Sequence, residues 1–176
     1  MSAVTAADIE TAIRNVPDFP KPGIQFKDIT PVLGDARLFA GSIDLLAAHH
    51  RDSGIDAVVG IDARGFIFAA AAACQLDAAF VPVRKQGKLP YKTIEESYAL
   101  EYGEATVAIH EDALKSGARV LLLDDLLATG GTAAAAVNLV QKVGAEIVEV
   151  GFLIELNFLN GREKLGSFPI HSVVTC

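Results

Sequence analysis

Short, nearly unbroken apolar runs alternate along this chain with longer stretches of helical spacing. Ala57–Ile61, Ala79–Val83, Val120–Leu123 and Glu146–Glu155 predict strands, and the continuous apolar character of Val120–Leu123 predicts burial on both faces. Ala105–Ile109 predicts a further strand and Ile170–Thr175 a closing edge strand. Between them, Thr5–Asn15 predicts a short amphipathic helix with Ile9, Ile13 and Val16 on one face. Asp35–Asp52 predicts a long helix with Leu38, Ile43, Leu46 and Ala47 inward, and Phe66–Cys74 an apolar one. The AAAAVNLVQKV stretch after Thr132 is a strong helix former, and Leu159–Lys164 a helical turn. Strands and helices in this order imply an α/β fold, a mainly parallel central sheet flanked by helices.

Two stretches break the pattern. DFPKPGIQFKDITPV, with Pro17 just before it and Pro20, Pro22 and Pro31 within it, predicts neither regular helix nor central strand. Its Phe19, Ile24, Phe26 and Ile29 predict a packed loop instead. From Arg84 to about Glu104, Gly87 and Pro90 interrupt a charged segment long enough to close as a lid. No repeat or linker appears, so residues 1–176 read as one domain.

The candidate chemistry sits where strands give way to helices, the edge at which open α/β sheets bind ligands. After Val120–Leu123 come Asp124 and Asp125, where that strand should end, then Ala128-Thr129-Gly130-Gly131-Thr132 leading into the helix. Gly130 and Gly131 let backbone approach a ligand closely. Free N–H groups at the helix start, with the hydroxyls of Thr129 and Thr132, suit a phosphate. The aspartates suit sugar hydroxyls or a Mg²⁺-coated group. The Asp62-Ala63-Arg64-Gly65 turn after Ala57–Ile61 repeats the arrangement, with Arg64 as an anion site. Arg84, Lys85, Lys88 and Lys92 cluster after the next strand and point to a polyanion.

Charge and cysteine usage narrow the partners. A net charge of −7 argues against a surface built for nucleic acid. No run of eighteen apolar residues predicts a membrane span, and MSAVTAADIE has no secretory pattern. Cys74 and Cys176 lack metal-ligand spacing, so a reduced, cytoplasmic setting is expected. His49 and His50, closing the Asp35–Asp52 helix, read as structural residues suited to the helix dipole.

DDLLATGGT resembles the phosphoribosyl-pyrophosphate (PRPP) loop of the type I phosphoribosyltransferases, in wording similar to their adenine-specific branch. DFPKPGI, FKDITP, GIDARGF, RKQGKLP and LEYG resemble further segments of that branch, kept in family order from Asp18 to at least Leu156. The resemblance implies the family's α/β fold, with residues 1–34 as a hood over the base and residues 84–104 as a mobile lid. It implies adenine and PRPP as substrates, AMP and pyrophosphate as products, and Mg²⁺ carried by PRPP with no direct protein ligand. It also implies a homodimer. By the same resemblance, Asp124, Asp125 and Ala128–Thr132 hold the ribose and its phosphate. Arg64, Arg84, Lys85 and Lys88 take the pyrophosphate, with Arg64 and Lys88 steadying it as it leaves. Phe26 stacks on adenine opposite Leu126, and Gln25 and Lys27 line the base pocket. Glu101 handles the proton at N7 of the base, with Tyr102 beside it. The family more often has an apolar residue at position 25 and Arg at position 27. Rival readings are a transferase for another base, which calls for a basic side chain against a ring oxygen, and a PRPP-sensing regulator, which calls for a DNA-binding extension.

Overall fold

A computed structural model describes residues 3–99 and 103–176. Helix α1, Ala6–Ala12, is fixed by a capping box in which the Thr5 side chain accepts from the Asp8 N–H and the Asp8 carboxylate accepts from the Thr5 N–H. The helix stops short of the predicted Asn15 because Arg14–Pro17 form a strand, β1, antiparallel to β2, Gln25–Asp28. The proline-rich stretch is therefore no simple loop: it builds a separate two-stranded hairpin. Its prolines fall outside ladder positions that need an N–H, or at its margin. Pro31 sits in the first turn of the short helix α2, Thr30–Gly34, where its missing N–H costs nothing.

Asp35 then caps α3, Ala36–Ala47, its carboxylate accepting from the Arg37 and Leu38 N–H groups. The helix predicted to reach Asp52 ends at Ala47, and a single 3₁₀ turn, Ala48–His50, follows. Next come β3 (Ala57–Ile61), α4 (Gly65–Gln75), β4 (Ala79–Lys85), β5 (Thr93–Ala99), β6 (Glu104–His110) and β7 (Arg119–Leu127). Helix α5 (Gly131–Lys142), β8 (Glu146–Glu155) and β9 (Ile170–Thr175) complete the chain, with 3₁₀ turns at Asn157–Leu159 and Gly161–Leu165 between the last two strands.

The main sheet has the order β5-β6-β4-β3-β7-β8-β9. β4, β3, β7, β8 and β9 are parallel, and β6 joins antiparallel to β4 and to β5. Alternation along the strands builds two cores. Val59, Val120 and Leu122 face α5, while Val58, Leu121 and Leu123 face α3 and α4. Two predictions about strand ends change. β7 continues through the acidic pair to Leu127, because β8 runs alongside it as far as Leu127↔Glu155. The expected lid loop is largely a β-hairpin arm, with β5 paired to β6 from Thr93↔His110 to Ala99↔Glu104. Among the described residues, no helix is long and apolar enough to cross a membrane.

Candidate active site

Strand order reverses between β3 and β7, and a crevice opens at such a switch point. β3 pairs with β7 only as far as Gly60↔Leu123, so Asp124 and Asp125 lie just beyond the last shared rung. The turn after β3 brings Asp62, Ala63 and Arg64 to the same edge. Together with Ile61, Leu126 and Thr132 they line a cleft of about 330 Å³. The Asp62–Ala63 peptide in this turn is cis.

The acidic pair is held by close backbone packing. Gly65, at the start of α4, lies so near Asp124 that an added Cβ would meet its carboxylate at 2.6 Å and its Cα at 3.1 Å. The Asp125 N–H donates to Asp124 Oδ1 at 2.9 Å. Burial pushes the Asp124 carboxyl well above the usual carboxylate range, and the charge of Asp125 adds to the shift. Burial also raises Asp125, against the opposing pull of Arg64. Two desolvated carboxyl groups at one cleft favour hydrogen-bond donors and positive charge beside them.

Cations are present, already engaged with carboxylates. Arg64 Nε lies 2.7 Å from Asp125 Oδ2, and Arg84 Nε donates to Asp62 Oδ2 at 3.1 Å. Arg64 does not pair with Asp62 of its own turn: each takes another partner. Arg84 also donates to the Lys88 carbonyl, closing the turn after β4. Strand alternation puts Lys85 on the opposite face from Arg84, and both Lys85 and Lys88 are exposed.

Beyond β7, Ala128–Thr132 encloses a small hollow of about 80 Å³ with Asp124, Leu126, Leu127 and Ala133. Gly130 adopts φ +79° as the residue before α5, a conformation that favours glycine. A Cβ there would also strike the Gly161 carbonyl, and a Cβ on Gly161 would strike that of Ala128. The 160–165 turn therefore backs the loop. It is anchored by Arg162, whose Nε and Nη2 donate to the two oxygens of buried Glu155 at 2.6 and 2.7 Å. Burial pushes the Glu155 carboxyl up, but hydrogen bonds from Arg162 and Ser172 hold it below its ordinary value. The first N–H groups of α5 have no intrahelical acceptor and face this loop.

On the other side, the N-terminal hairpin delivers Phe26, half-buried, with Phe19 edge-on at 5.1 Å and the Arg64 guanidinium 5.2 Å from its ring centre. Arg64 thus links Phe26 to Asp125. Gln25 is exposed and Lys27 half-buried on the alternate face of β2. Leu126 lines both the cleft and the loop hollow. Glu101 and Tyr102, between β5 and β6 in sequence, lie outside the described residues.

Sequence reasoning missed three partners of this site. Tyr98 on β5 accepts from Thr132 Oγ1 at 2.9 Å and packs where a Gly131 side chain would point. Asp62 pairs with Arg84. Gly161 supports the Gly130 loop, and the Asn160-Gly161 turn dipeptide was the available signal for it.

A model of the phosphoribosyl transferase domain matches residues 33–165. An adenine phosphoribosyltransferase of Chloroflexus aurantiacus is 52% identical over 171 residues, covering 97% of this chain and 99% of that protein. One from Syntrophotalea carbinolica is 56% identical over 158 residues, covering 90% and 92%. The crystal structure of adenine phosphoribosyltransferase from Rhodothermus marinus superposes with a TM-score of 0.93 at 52% identity, covering 97% and 98% of the two chains. The enzyme of Saccharomyces cerevisiae, solved with an imino-altritol bisphosphate and adenine, gives 0.91 at 39% identity, covering 96% and 97%. With the family's domain matched over most of its length and relatives this similar from end to end, the chain belongs to the phosphoribosyltransferases and, among them, to the adenine phosphoribosyltransferase family.

Proposed function

We propose that this protein joins adenine to the ribose phosphate of PRPP, releasing pyrophosphate and giving AMP in purine salvage. The observation that carries the reading is the meeting, at one sheet edge, of the buried Asp124–Asp125 pair, the Gly130–Thr132 loop and Arg64 beneath Phe26. Family membership supplies the reaction, and the yeast relative's complex with adenine is consistent with the substrate.

In this reading the loop from Ala128 to Thr132 takes the 5′-phosphate on the amides of α5. Asp124 and Asp125 accept hydrogen bonds from the ribose hydroxyls, which replace Arg64 as a donor to Asp125. Arg64 leaves Asp125 for the pyrophosphate, and Arg84, Lys85 and Lys88 add positive charge along its path. As the pyrophosphate departs, positive charge grows on the ribose ring, and the two carboxylates face it in a site of low dielectric. Phe26 and Leu126 form the walls of a slot for a flat ring, with Gln25 and Lys27 at its rim. Glu101, with Tyr102 next to it in sequence, is assigned the proton of the base, since a carboxyl can exchange a proton with a ring nitrogen.

Mg²⁺ fits this chemistry. The cleft is lined by three carboxyl groups, Asp62, Asp124 and Asp125, against one arginine, the oxygen-rich environment hard cations prefer. Asp124 and Asp125 would meet it through the oxygens of PRPP, and when bound it neutralises charge on the pyrophosphate. We also read the assembly as a homodimer, as the family resemblance implies, and a sedimentation mass twice that of one chain is the check.

A base panel tests the specificity. With PRPP and Mg²⁺, adenine should turn over far faster than hypoxanthine, guanine or orotate, and equal turnover of hypoxanthine would overturn the adenine reading.

A further inference from the structure

A second group of ligand-type side chains lies away from this cleft. His49 and His50 are adjacent in the 3₁₀ turn after α3, and sequence alone made them structural. The fold sets Glu149 of β8 against both. Its Oε1 is 3.1 Å from His49 Nε2 and 3.0 Å from His50 Nε2. Glu149 pairs with Leu121, three rungs before Asp124, so the cluster is set back from the substrate edge. His50 is buried and Glu149 half-buried, with side chains 8% and 14% exposed, whereas His49 is open at 44%.

The three ligand atoms lie within 4.8 Å of one another. Two imidazoles and one carboxylate, with one side open, make the donor set of an open tetrahedral zinc site. Bonds of about 2.0–2.2 Å set ligand atoms roughly 3.4 Å apart, and both nitrogen–oxygen separations are already close to that. A ligating imidazole binds as the neutral ring with its proton on the other nitrogen. For His50 that nitrogen, Nδ1, lies 3.4 Å from Ser53 Oγ, a ready acceptor.

We propose that His49, His50 and Glu149 bind one divalent transition-metal ion of the Zn²⁺ class, with water in the fourth position on the exposed His49 side. Nitrogen donors separate this site from the oxygen-only chemistry that suits Mg²⁺. The ion ties the end of α3 to β8, so its expected effect is on stability and not on turnover.

The test uses the tag-free full chain, stripped with chelator and titrated with Zn²⁺ by calorimetry, with thermal melts in parallel. One Zn²⁺ should bind per chain and raise Tm. His49→Ala, an exposed change, should weaken binding by at least ~10-fold and abolish the Tm rise while leaving AMP formation intact. Glu149→Gln should act alike. The proposal fails if no stoichiometric binding occurs or if both variants bind as well as the wild type. It also fails if binding survives His49→Ala but is lost in Cys176→Ser or in Asp124→Asn with Asp125→Asn.

Discussion

Arg64 Nε sits 2.7 Å from Asp125 Oδ2, so the cation assigned to an incoming anion is held by the carboxylate assigned to the ribose. The contact partly offsets the burial of Asp125 and parks Arg64 against Phe26. In the proposed reading, binding PRPP exchanges this ion pair for another, Arg64 with pyrophosphate, and adds hydrogen bonds from the ribose hydroxyls to the acidic pair.

The raised Asp124 carboxyl has a consequence for stability. A carboxyl whose folded pKa lies above its unfolded value binds its proton more tightly in the folded chain. Its stabilisation is complete at low pH and is lost as pH rises through the folded pKa. Asp124→Asn removes that loss. Relative to wild type, the ligand-free variant should gain Tm, with the gap widening as pH rises above the usual carboxylate range, while PRPP binding weakens about 10-fold or more. Melting curves from pH 5 to 8 check this, and a variant less stable at every pH would contradict it.

Gly130→Ala should damage both loop and fold. The residue holds φ +79°, and a methyl group would strike the Gly161 carbonyl. The expected cost is about 1–3 kcal/mol of stability and a larger loss of PRPP affinity, read by denaturant unfolding and by titration with PRPP.

Tyr98→Phe removes the hydroxyl that accepts from Thr132 while keeping the ring against Gly131. Thr132 Oγ1 then loses its orienting partner. The KM for PRPP should rise about 3- to 10-fold, the worth of one hydrogen bond, with the KM for adenine and Tm nearly unchanged. Equal rises in both KM values would point to a general loosening of the arm.

Glu101→Gln separates binding from chemistry. PRPP binding should stay close to wild type while turnover falls about 10²-fold or more, measured by titration and steady-state rates. Full activity would remove Glu101 from the proton transfer.

Much of this architecture was legible in the chain. Ala57–Ile61, Glu146–Glu155 and Ile170–Thr175 are strands with the predicted bounds, since apolar continuity there coincides with pairing. The errors lie where tertiary partners override local pattern. Asp124 and Asp125 stay in β7 because β8 extends beside them, which a polar pair after an apolar run does not announce. Arg14–Pro17 leave the helix because Gln25–Asp28 pair with them. The pairing of the β5 arm was not legible because its partners are remote: Glu96 meets Lys142 and Asn138 of α5 across 46 and 42 residues. In the site, the loop and acidic pair were visible as a string, whereas Tyr98, Gly161 and the Arg64–Asp125 contact depend on long-range packing.

The most direct measurement is AMP formation from adenine and PRPP with Mg²⁺, comparing the wild type with the double variant Asp124→Asn, Asp125→Asn. The wild type should convert adenine to AMP with one pyrophosphate released per turnover, and the variant should require far more PRPP for a much lower rate. No AMP from the wild type, or an unchanged PRPP requirement in the variant, would contradict the account.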